Sequence, residues 1–182
     1  LAELATEPAW LEERRRKGAA LVGSLPLPDS RVKGWEFTDL TGLDLDSYTG
    51  ASTAVAVSGG EGATVVSLAE AVESHAELLQ NALGSLVPVE DPFVARNEAD
   101  WRDGVLVHVP RGVKLAEPVR IEVPLDASGN AVSWRTLIVL EEGAEAEVWE
   151  HWSSPDDEVD ALLNSVVELS VGQAATLRYI NT

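Results

Sequence analysis

The sequence predicts a mainly β protein: a stack of solenoid courses over residues 91–182, preceded by a small N-terminal α/β or helical region over residues 1–90. Three observations predict it. Before Val105 the chain carries helix-cap signals, and from Val105 onward it turns to short apolar runs separated by turns. Three nine-residue segments, VHVPRGVKL (107–115), IVLEEGAEA (138–146) and VELSVGQAA (167–175), align without gaps, and their glycines Gly112, Gly143 and Gly172 fall 31 and 29 residues apart. A period near thirty with strand-turn-strand content is what stacked courses need, because each course buries its apolar face only against its neighbours.

Taken in order, TEPAWLEERRRKGAALVG reads as a helix. Thr6 can cap it, Pro8 suits a first turn, Leu11, Ala19 and Val22 recur near helical spacing, and Gly23 can stop it. The proline-, aspartate- and glycine-rich segment that follows holds Trp35 and Phe37, expected as buried anchors of a loop or short strand. ASTAVAVSGGEGA (51–63) is a weak strand and turn that separates two layers. TVVSLAEAVESHAELLQNALG reads as a short strand and one helix, with a capping box at Ser67 and Glu70 and a left-handed cap at Gly84. DPFVARNEADWRDG opens on an aspartate-proline start and gives one more short helix before Gly104.

Within the repeat, strand alternation points Val107 and Val109, Ile138 and Leu140, and Val167 and Leu169 inward, leaving His108, Val139 and Glu168 as an outward column. The glycines supply a turn of positive φ or a close backbone approach, and Leu115, Ala146 and Ala175 return to the interior. In IVLEEGAEAEVWEHW (138–152) the inward set includes Ala146 and Val148, so Glu145, Glu147, Trp149 and His151 lie outside. From residue 137 to 176 there are ten acids and no lysine or arginine, which makes that face a solvated, mutually repelling wall. Outward Trp149 and nearby Trp152 mark a contact surface.

Thirty-one acids against 13 bases give a net charge of -18, which disfavours a nucleic-acid backbone or an anionic membrane as partner. The absence of cysteine removes disulfides, thiolate metal sites and thiol nucleophiles. No apolar run reaches the ~20 residues of a membrane span, and LEERRRKG stands where a signal peptide needs an apolar core, so a cytoplasmic location is expected. A metal-binding cupin reading of GAEAEVWEHWSSPDD fails because Trp149 occupies the place of the first histidine and only His151 remains. His75 lies near the apolar helix face of Leu68, Val72 and Leu79 and is expected to pack. No phosphate loop, nucleophile elbow or dinucleotide glycine pattern is present, so no enzyme is indicated.

Two blocks together carry a resemblance. EPAWLEERRRKG, LPLP and GWEFTDL resemble the N-terminal entry of SufD proteins, and DPFVARNEADWRDGVLVHVPRGVKLAEPVRI with RTLIVLEEGAEAEVWEH resembles the core shared by SufB and SufD. The resemblance implies a non-catalytic scaffold component of the Suf iron-sulfur cluster assembly complex, closer to SufD. It implies a right-handed parallel β-helix core, truncated here, and work alongside a SufB-like paralogue and a SufC-like ATPase. Members are longer, and this chain stops at LRYINT within what would be a continuing β-helix, so a fragment lacking the C-terminal half is expected. The family's SufC-binding helices and cluster-linked histidine or cysteine have no counterpart, so no catalytic, cofactor-binding or metal residue is carried over, and the iron-sulfur cluster is left to the full complex. The alternative is a β-solenoid carbohydrate-binding or carbohydrate-cleaving protein with Trp149, Trp152 and the acids as its sugar site. The last strands, ALLNSVVELS and ATLRYIN, leave backbone groups to be paired, and self-association through residues 160–182 is expected.

Overall fold

The structure is a computed structural model that describes residues 7–182. Helix α1 (Ala9–Val22) starts directly after Pro8 and ends at Gly23. Thr6, expected as its cap, lies outside the described residues. The buried face of α1 is Leu11 and Gly18, with Arg14 and Arg15 half-buried between them, and Ala19 of the expected apolar face is exposed. That face is polar because α1 lies against α4 (Pro92–Asp100) at backbone distance. A Cβ on Gly18 would sit 2.8 Å from the Ala95 carbonyl oxygen, so glycine sets the approach and arginines fill the flanks.

The segment from 24 to 48 is turns and one 3-10 turn at Leu45–Ser47. Trp35 is the anchor expected of it, stacked on Phe93 with ring centroids 5.3 Å apart. Phe37 is not: it lies in a turn and is fully exposed.

Two short strands, β2 (Ala56–Ser58) and β3 (Thr64–Ser67), follow β1 (Thr49–Gly50). Gly59, Gly60 and Gly62 between β2 and β3 all have positive φ, and the turn carries the chain from one sheet to the other. Ser67 caps α2 (Leu68–Ser74) by accepting from the Glu70 N–H. The single helix expected over this stretch is two: α2 ends at His75, whose backbone (φ -131, ψ 36) leaves the helical region, and α3 (Ala76–Ala82) resumes after it. Gly84 then takes the expected left-handed conformation, and Asp91 caps α4 by accepting from the Phe93 and Val94 N–H groups.

The remaining strands are β4 (Asp103–Val109), β5 (Val119–Pro124), β6 (Asn130–Leu140), β7 (Glu145–Ser153), β8 (Leu162–Val171) and β9 (Thr176–Asn181). They come in successive pairs, and each pair gives one strand to each of two mixed sheets. In the first sheet β4, β6 and β8 are parallel neighbours, β3 lies antiparallel on β4, and β1 shares an edge of β6 with β4. In the second, β5, β7 and β9 are parallel neighbours and β2 lies antiparallel on β5. The two antiparallel strands therefore close the first course on both sheets, which protects edges that would otherwise pair with other chains.

The steps from β4 to β6, β6 to β8 and β7 to β9 are 31 residues, and the step from β5 to β7 is 29. Val107 pairs with Ile138 and Ile138 with Leu169, and in the other sheet Val119 pairs with Val148 and Val148 with Tyr179. This corrects the third segment of the gap-free alignment, which placed Val167 beside Ile138. Val167 sits beside Thr136, two residues away. The turns show the same shift. The N–H groups of Val113, Ala144 and Ala175 donate to the carbonyls of Pro110, Glu141 and Gly172, and the positive-φ position is Gly112, Gly143 and then Ala174. Gly172 opens the third turn instead of occupying its left-handed corner.

Between the sheets lies one core, with Val105, Val107, Val109, Val119, Ile121, Val123, Trp134, Ile138, Leu140 and Val148 buried. Each such side chain contributes about 1.5–3 kcal/mol by leaving water. Leu169 and Val171, on the same inward row, are 38% and 47% exposed, because β8 lies at the edge of the described stack. The expected outward column is corrected more sharply. The far face of β4 and β6 is a second core, where Leu106, Leu137 and Val139 pack beneath Leu11, Leu68, Ala71, Val72, Leu79 and Leu83 of the helical segments, and Glu168 is buried too.

Candidate functional site

Three chemically distinct places emerge. The first joins the helices to the first sheet. Glu98 of α4 accepts from Arg14 Nε at 2.7 Å and Nη2 at 2.9 Å, and its Oε2 also meets Arg135 Nη1 of β6. Arg135 Nη2 reaches Glu168 Oε1 of β8 at 3.2 Å, and Glu168 accepts in addition from the N–H groups of Gly84 and Leu86. Arg135, Glu98 and Glu168 are essentially without solvent contact. Burial by itself raises the Glu98 carboxyl, but the Arg135 and Arg14 guanidiniums outweigh it and hold the pKa below its ordinary value. Asn97, next on α4, donates to the carbonyls of Trp134 and Asn164, so the helix also ties β6 to β8. A cleft of about 320 Å³ lined by Arg14, Lys17, the 84–90 strap and Glu98 opens beside this network.

The second place is the outer face of the second sheet. Its rows are Arg120–Trp149–Ile180 and Glu122–His151–Thr182. The Arg120 guanidinium lies 5.4 Å from the Trp149 ring centroid, and the indole N–H donates to Glu147, which pairs with Arg178 at 3.5 Å. The repelling wall is thus partly neutralised by bases from the courses before and after it: Lys114 pairs with Glu145, Arg111 with Glu142 and Arg178 with Glu147, each 31 residues apart. Trp149 is exposed as expected. Trp152 is not its companion, because it turns inward and packs edge-on against Trp134 at 5.7 Å.

The third place is inside the main core, where Glu150 is fully buried between Thr136 and Tyr179. Alternation places it there, since Glu150 shares parity with Ala146 and Val148.

The histidines fall as follows. His151 is on the outer face of the second sheet, with Nδ1 3.0 Å from Thr182 Oγ1. His108 of β4 and His75 at the α2–α3 break, expected in unrelated places, line one cleft of about 640 Å³ together with Glu77, Asn81, Glu141 and Ser170. His108 Nε2 lies 3.0 Å from Glu141 Oε1, and this contact, followed by the Arg111 N–H, lowers the Glu141 pKa. No group of three or more histidine, aspartate or glutamate side chains suited to a metal occurs among the described residues.

Fold and surfaces define a class of chain: two sheets built course by course, one of them clad in helices through a buried ion network. Two family models match it in succession, the SufBD protein N-terminal region over residues 46–121 and the SUF system FeS cluster assembly SufBD core domain over residues 123–182. The chain belongs to the SufBD family. Curated relatives agree: an iron-sulfur cluster assembly SufBD family protein of Synechocystis is 34% identical over 120 residues, 65% of this chain and 25% of its own length. A chloroplastic member from Arabidopsis thaliana is 31% identical over 119 residues, 65% of this chain and 21% of its own length. One from Staphylococcus aureus is 32% identical over 110 residues, 60% of this chain and 24% of its own length. The matched region thus spans about a quarter of these relatives or slightly less. No helix among the described residues is long and apolar enough to cross a membrane.

Proposed function

We propose that this chain is part of a SufD-like, non-catalytic scaffold of the Suf iron-sulfur cluster assembly system, built on a right-handed parallel β-helix and working in the cytoplasm. The observation that carries the proposal is the succession of N-terminal and core family models along one chain. The parallel pairing of β4 to β9 in both sheets, at steps of 31 residues and, between β5 and β7, 29, supports the β-helix reading, because stacked courses are the geometry such a core requires. The SufD-like assignment rests on the N-terminal EPAWLEERRRKG, LPLP and GWEFTDL words. In this reading the partners are a SufB-like paralogue and a SufC-like ATPase, the iron-sulfur cluster is cargo of the full complex, and this segment holds none of it.

The test is co-expression of the parent protein with the SufB-like and SufC-like proteins of its own genome. A stoichiometric complex that survives size-exclusion chromatography is expected, and a parent protein that elutes free of both contradicts the reading. Anaerobic reconstitution of residues 1–182 with iron and sulfide should give no cluster absorbance, since the chain has no cysteine. The carbohydrate alternative is not favoured by the site, because Trp152 packs on Trp134 and Trp149 stands without a second aromatic beside it to form a sugar platform.

A further inference from the structure

The core between the sheets holds two buried acids: Asp103 of β4, beside Trp134 and accepting from the Thr53 N–H, and Glu150 of β7, on the inward row Ile121–Glu150–Asn181. Glu150 Oε2 accepts from Thr136 Oγ1 of β6 at 2.9 Å and from the Tyr179 hydroxyl of β9 at 2.8 Å. Trp134 Nε1 donates to Thr136 Oγ1 at 2.7 Å, and Asn181 Nδ2 donates to the Tyr179 hydroxyl at 3.2 Å. A file of hydrogen-bonded groups therefore runs from the fully buried Trp134 to the exposed Asn181, with Glu150 at its centre. The second carboxyl oxygen, Oε1, is buried and has no partner.

Of the charged groups on neighbouring strands, Asp103 of β4 shares the interior beside Trp134, and the others point elsewhere. Arg120 and Glu122 of β5, Glu147 and His151 of β7 and Arg178 of β9 are on the outer face, and Arg135 of β6 faces Glu98 and Glu168 under the helices. Glu168 of β8 faces the same way. Tyr179 is the titratable group hydrogen-bonded to Glu150, and Asp103, held by the Thr53 N–H, is the other buried acid of this core. A buried carboxylate with neutral donors and no cation is a costly ion, and a native structure that keeps one calls for a reason.

We infer that Glu150 is a proton-operated latch on β9: neutral, it seats Tyr179 in the core, and ionised, it loosens the strand and draws water into the polar file. The position favours this over a purely structural role. Tyr179 of β9 donates to Glu150 and in turn accepts from Asn181 of the same strand, so movement of that one strand is enough to open the file to the carboxylate. Burial raises the Glu150 pKa above its ordinary value, against the hydrogen bonds from Tyr179, Thr136 and Trp134. Burial, and then the charge on Glu150, also push the Tyr179 phenol up, so Tyr179 remains a donor throughout. With a raised folded-state pKa, the contribution of neutral Glu150 is complete below the carboxyl's unfolded pKa and is lost as pH rises through the folded value. Glu98 and Glu141, whose pKa values are lowered, act in the opposite direction, so the latch is read as a difference between variants.

The experiment is hydrogen exchange of the 176–182 amides in the full chain from about pH 5 to pH 8, corrected for intrinsic rates and referred to the β4 amides, with wild type beside Glu150→Gln. Relative protection of 176–182 should fall on the order of tenfold per unit of pKa elevation in wild type and stay flat in Glu150→Gln. Equal profiles in the two proteins overturn the latch. Thr136→Val removes a donor to the carboxylate without touching β9 and should move the wild-type midpoint to higher pH, and an unmoved or lowered midpoint also counts against it. So does a Glu150 carboxyl that titrates in the ordinary glutamate range by carbon NMR of the wild-type chain.

Discussion

Ala174 holds a position that its own side chain disfavours. Its φ is 56, at the corner where the two preceding turns carry Gly112 and Gly143. An L-residue in this region costs roughly 1–2 kcal/mol, and glycine removes that cost while adding chain entropy to the unfolded state. Ala174→Gly should therefore stabilise the chain by about 0.5–1 kcal/mol, and Gly143→Ala should destabilise it by about 1 kcal/mol or more. Urea midpoints at constant slope check both, and a destabilising Ala174→Gly would mean that the third turn is not equivalent to the others. A gap-free alignment hides this turn because a slip of two residues preserves strand parity, so the apolar pattern still matches while the corner moves from Ala174 to Gly172. Parity points Glu150 and Trp152 inward, yet no face was expected for Glu150, and Trp152 was grouped with outward Trp149. The abundance of glutamates beside Glu150 concealed which one was different.

At the scale of elements, the helices are held to the first sheet by charge as much as by apolar contact. Glu98→Gln leaves Arg135 buried with one partner fewer and should cost about 3–5 kcal/mol, whereas Glu145→Gln, whose Lys114 pair is solvent-exposed, should fall within about 0.5 kcal/mol. Equal costs measured by thermal unfolding would remove the network from the account. Because the Glu98 pKa is lowered, its contribution is present above the unfolded carboxyl pKa and lost as pH falls through the folded value, so the two proteins should converge in stability in acid. The cap residues Ser67 and Asp91 and the helix over 92–100 were readable from short-range chemistry. The break at His75 was not, because no glycine or proline marks it. The helix-clad face had a signal: GVLV and TLIVL are continuous apolar runs, as strands buried on both faces show, and alternation alone accounts for half of each. Arg14, Arg15 and Arg135 were illegible for the opposite reason, since arginine on a buried face has no marker in a single sequence.

The whole molecule is a stack in which a period of 31 residues sets the turn corners, the exposed ion pairs and all parallel pairing among β4 to β9 except β5 with β7, where it is 29. This explains how acids without a lysine or arginine between residues 137 and 176 coexist with a folded sheet: Glu142, Glu145 and Glu147 find partners one course earlier or later, while Asp156, Asp157, Glu158 and Asp160 are exposed in the connection before β8. It also ranks core positions. Ile138→Ala should cost about 2–5 kcal/mol, and Leu169→Ala, on the same row but 38% exposed, less than half as much. The exposed edges of β8 and β9 predict that the polypeptide of residues 1–182 self-associates in solution, and lysine at Leu177 and Ile180 should abolish that in sedimentation runs. A wild-type polypeptide that stays monomeric at high concentration contradicts this prediction. The register itself is open to a direct measurement, because the chain contains no cysteine to interfere. Paired positions on neighbouring strands lie within disulfide reach, and a two-residue offset takes the Cα atoms beyond roughly 7 Å. Oxidation of Glu147→Cys/Arg178→Cys should lock β7 to β9 rapidly and without loss of stability, while Glu147→Cys/Thr176→Cys, the 29-residue register, should remain reduced. Faster closure of the second pair than of the first would contradict the 31-residue stack.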